Sequence, residues 1–384
     1  MNLRDFSSVK CRREEVEKKM KVDLMNIGNF SLDESVASTR NCENMIGVAQ
    51  VPLGLAGPLK INGSSFEGDF YIPLATTEGA LVASVNRGAK AITLSGGAKV
   101  EAENIGATRG PVFKAENIEQ RNELLNLLNK NFLNIKKTAE STSSHLKLLK
   151  YEFSETGRFI YVRFYFDTQD AMGLNMITIA TNAIVDYIEK HSSVKCISLS
   201  GNFCVDKKPA WQNVINKRGK AVKAEVIIPE KVLKEILKTS ASEIYEVWLA
   251  KCMIGGAMSG SMGFNAHVAN VIAAIFIATG QDPAHVVEGS LTMTTAEVIK
   301  GKDLYISVHL PSLMVGTVGG GTGLGTQKEA LSILGVAGPN EGKNALKFSE
   351  IIGAAVLAGE LSLLSSLEQG TLAKAHSKLG RGGK

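Results

Sequence analysis

The chain has 384 residues, 44% of them hydrophobic and 21% charged, with a formal net charge of +5. That length holds two or three domains and a sizeable core. The charge is a mild bias towards anionic small molecules; with no basic run and no basic residues interleaved with aromatics, a nucleic-acid-binding role is excluded.

Taken in chain order, residues 1–42 read as a small helical lead-in, with Val16 and Met20 four apart in a charged stretch. No apolar h-region marks it as a signal peptide. The longest apolar run, Val271 to Ala278, falls short of the roughly 20 residues that span a bilayer. Five cysteines without a CxxC pair suit a reducing compartment better than a disulfide framework. A soluble, cytoplasmic protein is expected. Residues 43–110 are glycine-rich and apolar, with a helix beginning near Glu78 behind the N-cap candidates Thr76 and Thr77.

From 111 to 199 the pattern changes. Pro111 to Lys114 is a strand candidate, and Ile118, Leu124, Leu125, Leu128 and Phe132 follow helical spacing. Leu146 to Phe153 and Arg158 to Asp167 read as strands joined by the hairpin signal Ser154-Glu-Thr-Gly157. Met176 to Glu189 is a helix and Val194 to Ser200 a strand. The order β-α-β-β-α-β predicts a ferredoxin-like unit inserted into a larger domain. The expected class is therefore α+β: a helical segment at 1–42, a large mixed domain from 43–110 and 200–384, and the insert at 111–199. In the large domain, helices are expected at 229–239 (opened by Pro229), 265–279 and 343–368, and a strand from Asp303 to Leu310.

GxGxxG, the P-loop pattern, HExxH and GxSxG are all absent. This weighs against the usual Rossmann fingerprint, P-loop kinases, zincins and α/β-hydrolases. It leaves open a nicotinamide cofactor held by another fold. Four groups of residues are candidates for chemistry. Glu78 is either a carboxylate complementing a helix dipole or an acid, which would need burial or a nearby anion to hold a proton at neutral pH. Asp206, Lys207 and Lys208 crowd beside Pro209: a solvated turn, or a lysine held by a carboxylate and aimed at a developing oxyanion. The segments Asp170 to Met176 and Gly316 to Gly325 are flexible turns or backbone cradles for phosphate. The six histidines, His145, His191, His267, His285, His309 and His376, show no metal spacing, and no metal is expected. His376, in a basic, glycine-rich tail, is a candidate acid.

In order from Glu43 to His376, these segments resemble the class I 3-hydroxy-3-methylglutaryl-coenzyme A (HMG-CoA) reductases. ENMIG at 43–47 resembles the family's dimerisation motif, and LATTEGALVAS (74–84), DAMGLNM (170–176), SGNFCVDKKPA (200–210), GQD (280–282) and VGTVGGGT (315–322) follow. The resemblance implies two successive reductions by NADPH, of the thioester to a hemithioacetal and, after coenzyme A leaves, of mevaldehyde to mevalonate, the committed step towards isoprenoids. It implies that Lys207 stabilises the oxyanion, Glu78 is the acid, Asp282 links the two in one titrating network, and His376 protonates the departing thiolate. Arg109, Ser200, Asp206, Lys208, Lys251 and Asn270 resemble the residues around the hydroxymethylglutaryl group. Ser84, Asn86, Arg87, Lys90 and Lys238 resemble the coenzyme A side. Ser143, Asp170, Met172, Gly173, Leu174 and Asn175, with Gly319, Gly320, Gly321 and Thr322, resemble the dinucleotide side. Sites shared between the protomers of a homodimer, or of a dimer of dimers, are implied too.

One departure bears on the cofactor. After Ser143 many relatives carry an arginine facing the 2′-phosphate; here Ser144 and His145 follow. NADPH is expected, with NADH not excluded.

Overall fold

The computed structural model describes residues 2–368. Ten strands are found among the described residues: β1 (Leu53–Asn62), β2 (Glu67–Ala75), β3 (Ala98–Arg109), β4 (Val112–Lys114), β5 (Lys147–Thr156), β6 (Phe159–Asp167), β7 (Lys195–Ser198), β8 (Gly219–Ile228), β9 (Met293–Ile299) and β10 (Asp303–Leu313). The larger sheet runs β2-β1-β3-β8-β10-β9, antiparallel except where β1 lies parallel to β3. The smaller one runs β5-β6-β4-β7, antiparallel throughout. β3 joins them: Lys99 to Gly106 pair with β8, and Ala107 to Arg109 pair with β6. The fold is mixed α+β, with antiparallel sheets and two main cores.

In the smaller core, Leu124, Leu128, Ile135, Ile177, Ile184 and Ile188 pack on Phe113, Leu148, Val162 and Phe164. The single helix expected after 117 is two, Ile118–Lys130 and Phe132–Glu140, broken at Asn131. The hairpin turns at Gly157, whose φ of 55° suits glycine.

The larger core surrounds the helix Lys343–Glu368. It is long and apolar enough to cross a membrane, but 83% of its most apolar window is buried inside the fold. It is therefore a core helix, apolar around most of its circumference. Small residues let its neighbours approach. A Cβ on Gly88, in the helix Leu81–Leu94, would lie 1.9 Å from the Ala358 carbonyl oxygen, and one on Gly353 would lie 2.5 Å from Val222 Cγ1.

Buried carboxylates tie the ends of elements to this helix. Glu360 accepts from the Ala266 and His267 amides (2.7 and 2.8 Å) and from Thr294 Oγ1 (2.7 Å), just ahead of the helix Val268–Thr279. Glu350 accepts from Ser64 and the Ala102 amide; burial pushes its carboxyl above the usual range, against those bonds.

Lys220 is 5% exposed, and its Nζ donates to Asn104 Oδ1 at 2.7 Å. Burial pulls the ammonium down to about 8, against the charges of Asp167 and Asp170. A folded value below the unfolded one gives stability that is complete above the unfolded value and is lost as pH falls through the folded one. Stability should therefore rise between pH 8 and 10.5, by up to about 3 kcal/mol. Lys220→Met should be the more stable protein at pH 7, with its advantage shrinking across that window, as urea melts at several pH values would read.

Candidate active site

Lys207 lies in the loop between β7 and β8, with φ 56°. Its Nζ is 2.6 Å from Asp282 Oδ2, and its amide donates to Glu288 Oε1 at 3.3 Å. Asp282 caps the short turn Pro283–His285 by accepting from the Ala284 amide at 3.0 Å. Burial raises its carboxyl, but the Lys207 bond, the Ala284 amide and the nearby His285 outweigh that and hold it below the usual range.

Glu78 is exposed, in the turn between β2 and the helix Leu81–Leu94 rather than at a helix start. Ala80 takes the left-handed conformation at the N-cap, so the first helical turn comes after Glu78. The Glu78 amide donates to Thr76 Oγ1 at 3.0 Å, and Asn270 Nδ2 donates to Glu78 Oε1 at 3.3 Å. Among the described residues Glu78 makes no ion pair with Lys207. Asn270 is in the first turn of the helix Val268–Thr279, and Asp282 follows its last. Nine residues at ~1.5 Å put about 14 Å of helix between Asn270 and Thr279. The expected network of Glu78, Lys207 and Asp282 is therefore split within one chain.

Of the substrate-side residues, Asn270 lies beside Glu78. Ser200, Asp206 and Lys208 share the Lys207 loop. Ser200 Oγ lies 3.5 Å from Cys204 Sγ, and Lys208 Nζ donates to the Asp206 carbonyl at 3.4 Å. Arg109 ends β3 and donates to Thr178 Oγ1 at 2.8 Å, while its Nε is buried without a partner. Lys251 is exposed in the π turn Leu249–Gly255.

On the expected coenzyme A side, Lys90 and Lys238 are exposed. The other three are engaged within the chain. Ser84 donates to Ser362, Asn86 accepts from the Gly57 amide, and Arg87 donates to Ser362 and Ser366 on the core helix. Burial lowers the Arg87 guanidinium from its ordinary value.

The two expected dinucleotide segments meet. Ala171 pairs with Val318, and the Thr317 amide donates to the Asp170 carbonyl at 2.7 Å. The Asp170 side chain does not face outward. It accepts from the amides of Asn340, Gly342 (2.8 Å) and Ala345 (2.9 Å), holding the start of the core helix where its dipole favours an anion. Met172 and Leu174 pack on the smaller core, and Asn175 is exposed. Gly173, at φ 84°, opens the helix Leu174–His191 with no side-chain cap. Gly319 and Gly320 have positive φ and open space where a side chain would be, while the Thr322 hydroxyl is turned back onto the Gly319 carbonyl. Open glycine backbone beside an uncapped helix start fits an anionic pyrophosphate. Ser143 Oγ accepts from the His145 amide, His145 Nδ1 lies 3.1 Å from Gln169 Oε1, and Ser144 is exposed. His376 lies outside the described residues.

The GQD turn joins this loop to Lys207. Gln281 donates to the Gly316 carbonyl and accepts from its amide, both at 2.9 Å. A Cβ on Gly280 would lie 2.3 Å from the Gly321 carbonyl oxygen, so only glycine permits that contact.

Residues outside the sequence motifs complete the site. Arg218, His285 and Glu288 are fully buried beneath Asp206 and Asp282. Spacing of histidines alone gives no sign of this cluster.

The family model for hydroxymethylglutaryl-coenzyme A reductase matches residues 8–381. The 3-hydroxy-3-methylglutaryl-coenzyme A reductase of Methanocaldococcus jannaschii is 53% identical over 380 residues, covering 97% of this chain and 93% of that protein. That of Pyrococcus abyssi is 50% identical over 379 residues, covering 97% and 93%. Among solved structures, the class II reductase of Streptococcus pneumoniae bound to NADPH aligns with TM-score 0.69 at 18% identity, over 94% of this chain and 97% of that one. This likeness to a class II structure overturns the expected class I assignment, which is dropped. The carboxylate-held lysine, the paired glycine loops and the near-complete match to the family model lead to one conclusion: the chain belongs to the hydroxymethylglutaryl-coenzyme A reductase family.

Proposed function

We propose that this protein reduces HMG-CoA to mevalonate with NADPH in two hydride transfers, releasing coenzyme A. The observation that carries the reading is the Lys207 ammonium held at 2.6 Å by Asp282, beside glycine loops suited to a dinucleotide. NADPH supplies hydride to the thioester carbonyl and then to the aldehyde. Lys207 meets the negative charge that develops on that oxygen, and Asp282 keeps the ammonium in place. Glu78 is the acid that protonates the oxygen of the reduced aldehyde, and His376 protonates the departing thiolate. Arg109, Ser200, Asp206, Lys208, Lys251 and Asn270 surround the hydroxymethylglutaryl group; Ser84, Asn86, Arg87, Lys90 and Lys238 form the coenzyme A side, with Lys90 and Lys238 exposed.

The functional unit in this reading is a homodimer. Glu78 and Asn270 of one copy complete the site that begins with Lys207 and Asp282 of the other, supported by the distance between the two pairs within one chain. Residues 111–199 act as a ferredoxin-like cofactor domain, supported by the strand order β5-β6-β4-β7 with helices on one face. The large domain is 43–110 and 200–384, and a cytoplasmic location fits the burial of the one long apolar helix found among the described residues.

The test is loss of reduced-nicotinamide absorbance with HMG-CoA present. Oxidation that depends on HMG-CoA, faster with NADPH than with NADH, is expected. No oxidation by folded dimer with either cofactor would overturn the reading. Equal rates would leave the activity standing but remove the expected preference for the 2′-phosphate.

A further inference from the structure

Beneath the Lys207–Asp282 pair, Arg218, His285 and Glu288 are fully buried, while the Asp206 and Asp282 side chains they face are 20% and 29% exposed. Arg218 is fully buried and bonds Glu288 Oε1, Asp206 Oδ1 (2.9 Å) and Thr108 Oγ1 (2.8 Å). His285, also fully buried, packs among them. Its Nδ1 is 2.8 Å from Glu288 Oε1. Its Nε2 has no hydrogen-bond partner among the described residues and faces Asp206 Oδ1 at 3.9 Å and Asp282 Oδ2 at 3.8 Å.

The cluster has a charge deficit that this ring can fill. Three carboxylates, Asp206, Asp282 and Glu288, face two permanent cations, Lys207 and Arg218. Buried charge is tolerated only when compensated. Carboxylates at both ring nitrogens favour a proton on each, and that adds the missing positive charge. Ligand atoms of Asp206, His285 and Glu288 lie within 4.8 Å of one another, close enough to hold a cation. The Arg218 guanidinium already bridges the two carboxylates there, so the remaining charge falls to the imidazole.

We infer that His285 is a positioning residue for the reduction: fixed by Glu288 and Arg218, its ring holds a positive charge between Asp206 and Asp282 and so keeps Asp282 ionised on Lys207. This rests on the reading of Lys207 and Asp282 as the reacting pair. The His285 charge is among the causes that hold the Asp282 carboxyl low, after the Lys207 and Ala284 bonds. Without it, burial pulls that carboxyl upward and the ammonium loses its anchor at mildly acidic pH.

The experiment is the pH profile of kcat for the intact enzyme, for His285→Gln and for Asp282→Asn, with KM for HMG-CoA measured alongside. For His285→Gln, the acid limb of kcat should move up by about one pH unit, with KM changed less than about twofold. A limb that superimposes on the parent's, with Asp282→Asn inactive, overturns the inference and leaves the site reading intact. Near-normal turnover by Asp282→Asn overturns the site reading itself. Ring 15N signals of the unsubstituted enzyme give a second readout that needs no variant: a doubly protonated His285 at pH 7 is expected, and a neutral ring overturns the inference.

Discussion

Lys207→Ala lowers HMG-CoA-dependent NADPH oxidation by at least about a thousand-fold, while coenzyme A still binds. A single oriented donor to an oxyanion is worth roughly 10²–10³ in rate. Here the loss is larger, because removing the ammonium also leaves Asp282 without its 2.6 Å partner, next to the carbonyl that must become negative. An unpaired carboxylate there repels the developing charge. Coenzyme A binding should survive because Lys90 and Lys238, proposed to bind it, lie on other elements. Stopped-flow absorbance and calorimetry with coenzyme A separate the two effects. Turnover within tenfold of the parent would remove Lys207 from the chemistry.

Mixing two inactive proteins restores activity. Glu78→Gln and Lys207→Ala are each expected to be nearly inactive alone. Within one chain, Glu78 sits with Asn270 at the start of the helix Val268–Thr279, and Lys207 sits with Asp282 beyond its end. If each site takes its acid from one copy and its lysine from the other, a mixed dimer contains one site with both groups intact. Random re-pairing of equal amounts makes half the dimers mixed, each with half its sites intact. About a quarter of the parent's activity should return, on the rule that independent sites add. No recovery after subunit exchange, verified by tagged copies, would mean that each site is built within one chain.

Between residues 111 and 199 the helices and the hairpin were the most legible elements, for a physical reason. The helix Leu174–His191 buries one face, at Ile177, Ala180, Thr181, Ile184, Val185 and Ile188, so its period shows directly, and the Ser154–Gly157 signal falls at the turn between β5 and β6; β6 itself is buried on both faces from Val162 to Phe166 and shows no period. The larger sheet hides its period. Ile72 to Ala75 of β2 are all buried, and β1 is interrupted by Gly57 and Pro58, so neither alternates clearly. The helix at 343–368 is legible by length, but nothing in its sequence shows that Asp170 holds its start. The motifs locate Lys207 and Asp282 but not what lies beneath them. Arg218 meets Glu288 across 70 positions, and a single histidine after Pro283-Ala carries no spacing to read. Asp170 is the opposite case. Its motif draws attention to a ligand role, while its oxygens are taken by three backbone amides.

The helix Val268–Thr279 also works as a ruler. In the proposed dimer one half of a site lies near each end of this helix, so its length would set how far apart the two reaction centres stand. Inserting one residue would advance the helix by about 1.5 Å and turn it by about 100°. Asn270 would swing away from Glu78 while Asp282 kept its place on Lys207. The number of residues in this helix is thus under tighter constraint than their identity: most of its interior positions can trade one apolar side chain for another, but none can be added or removed.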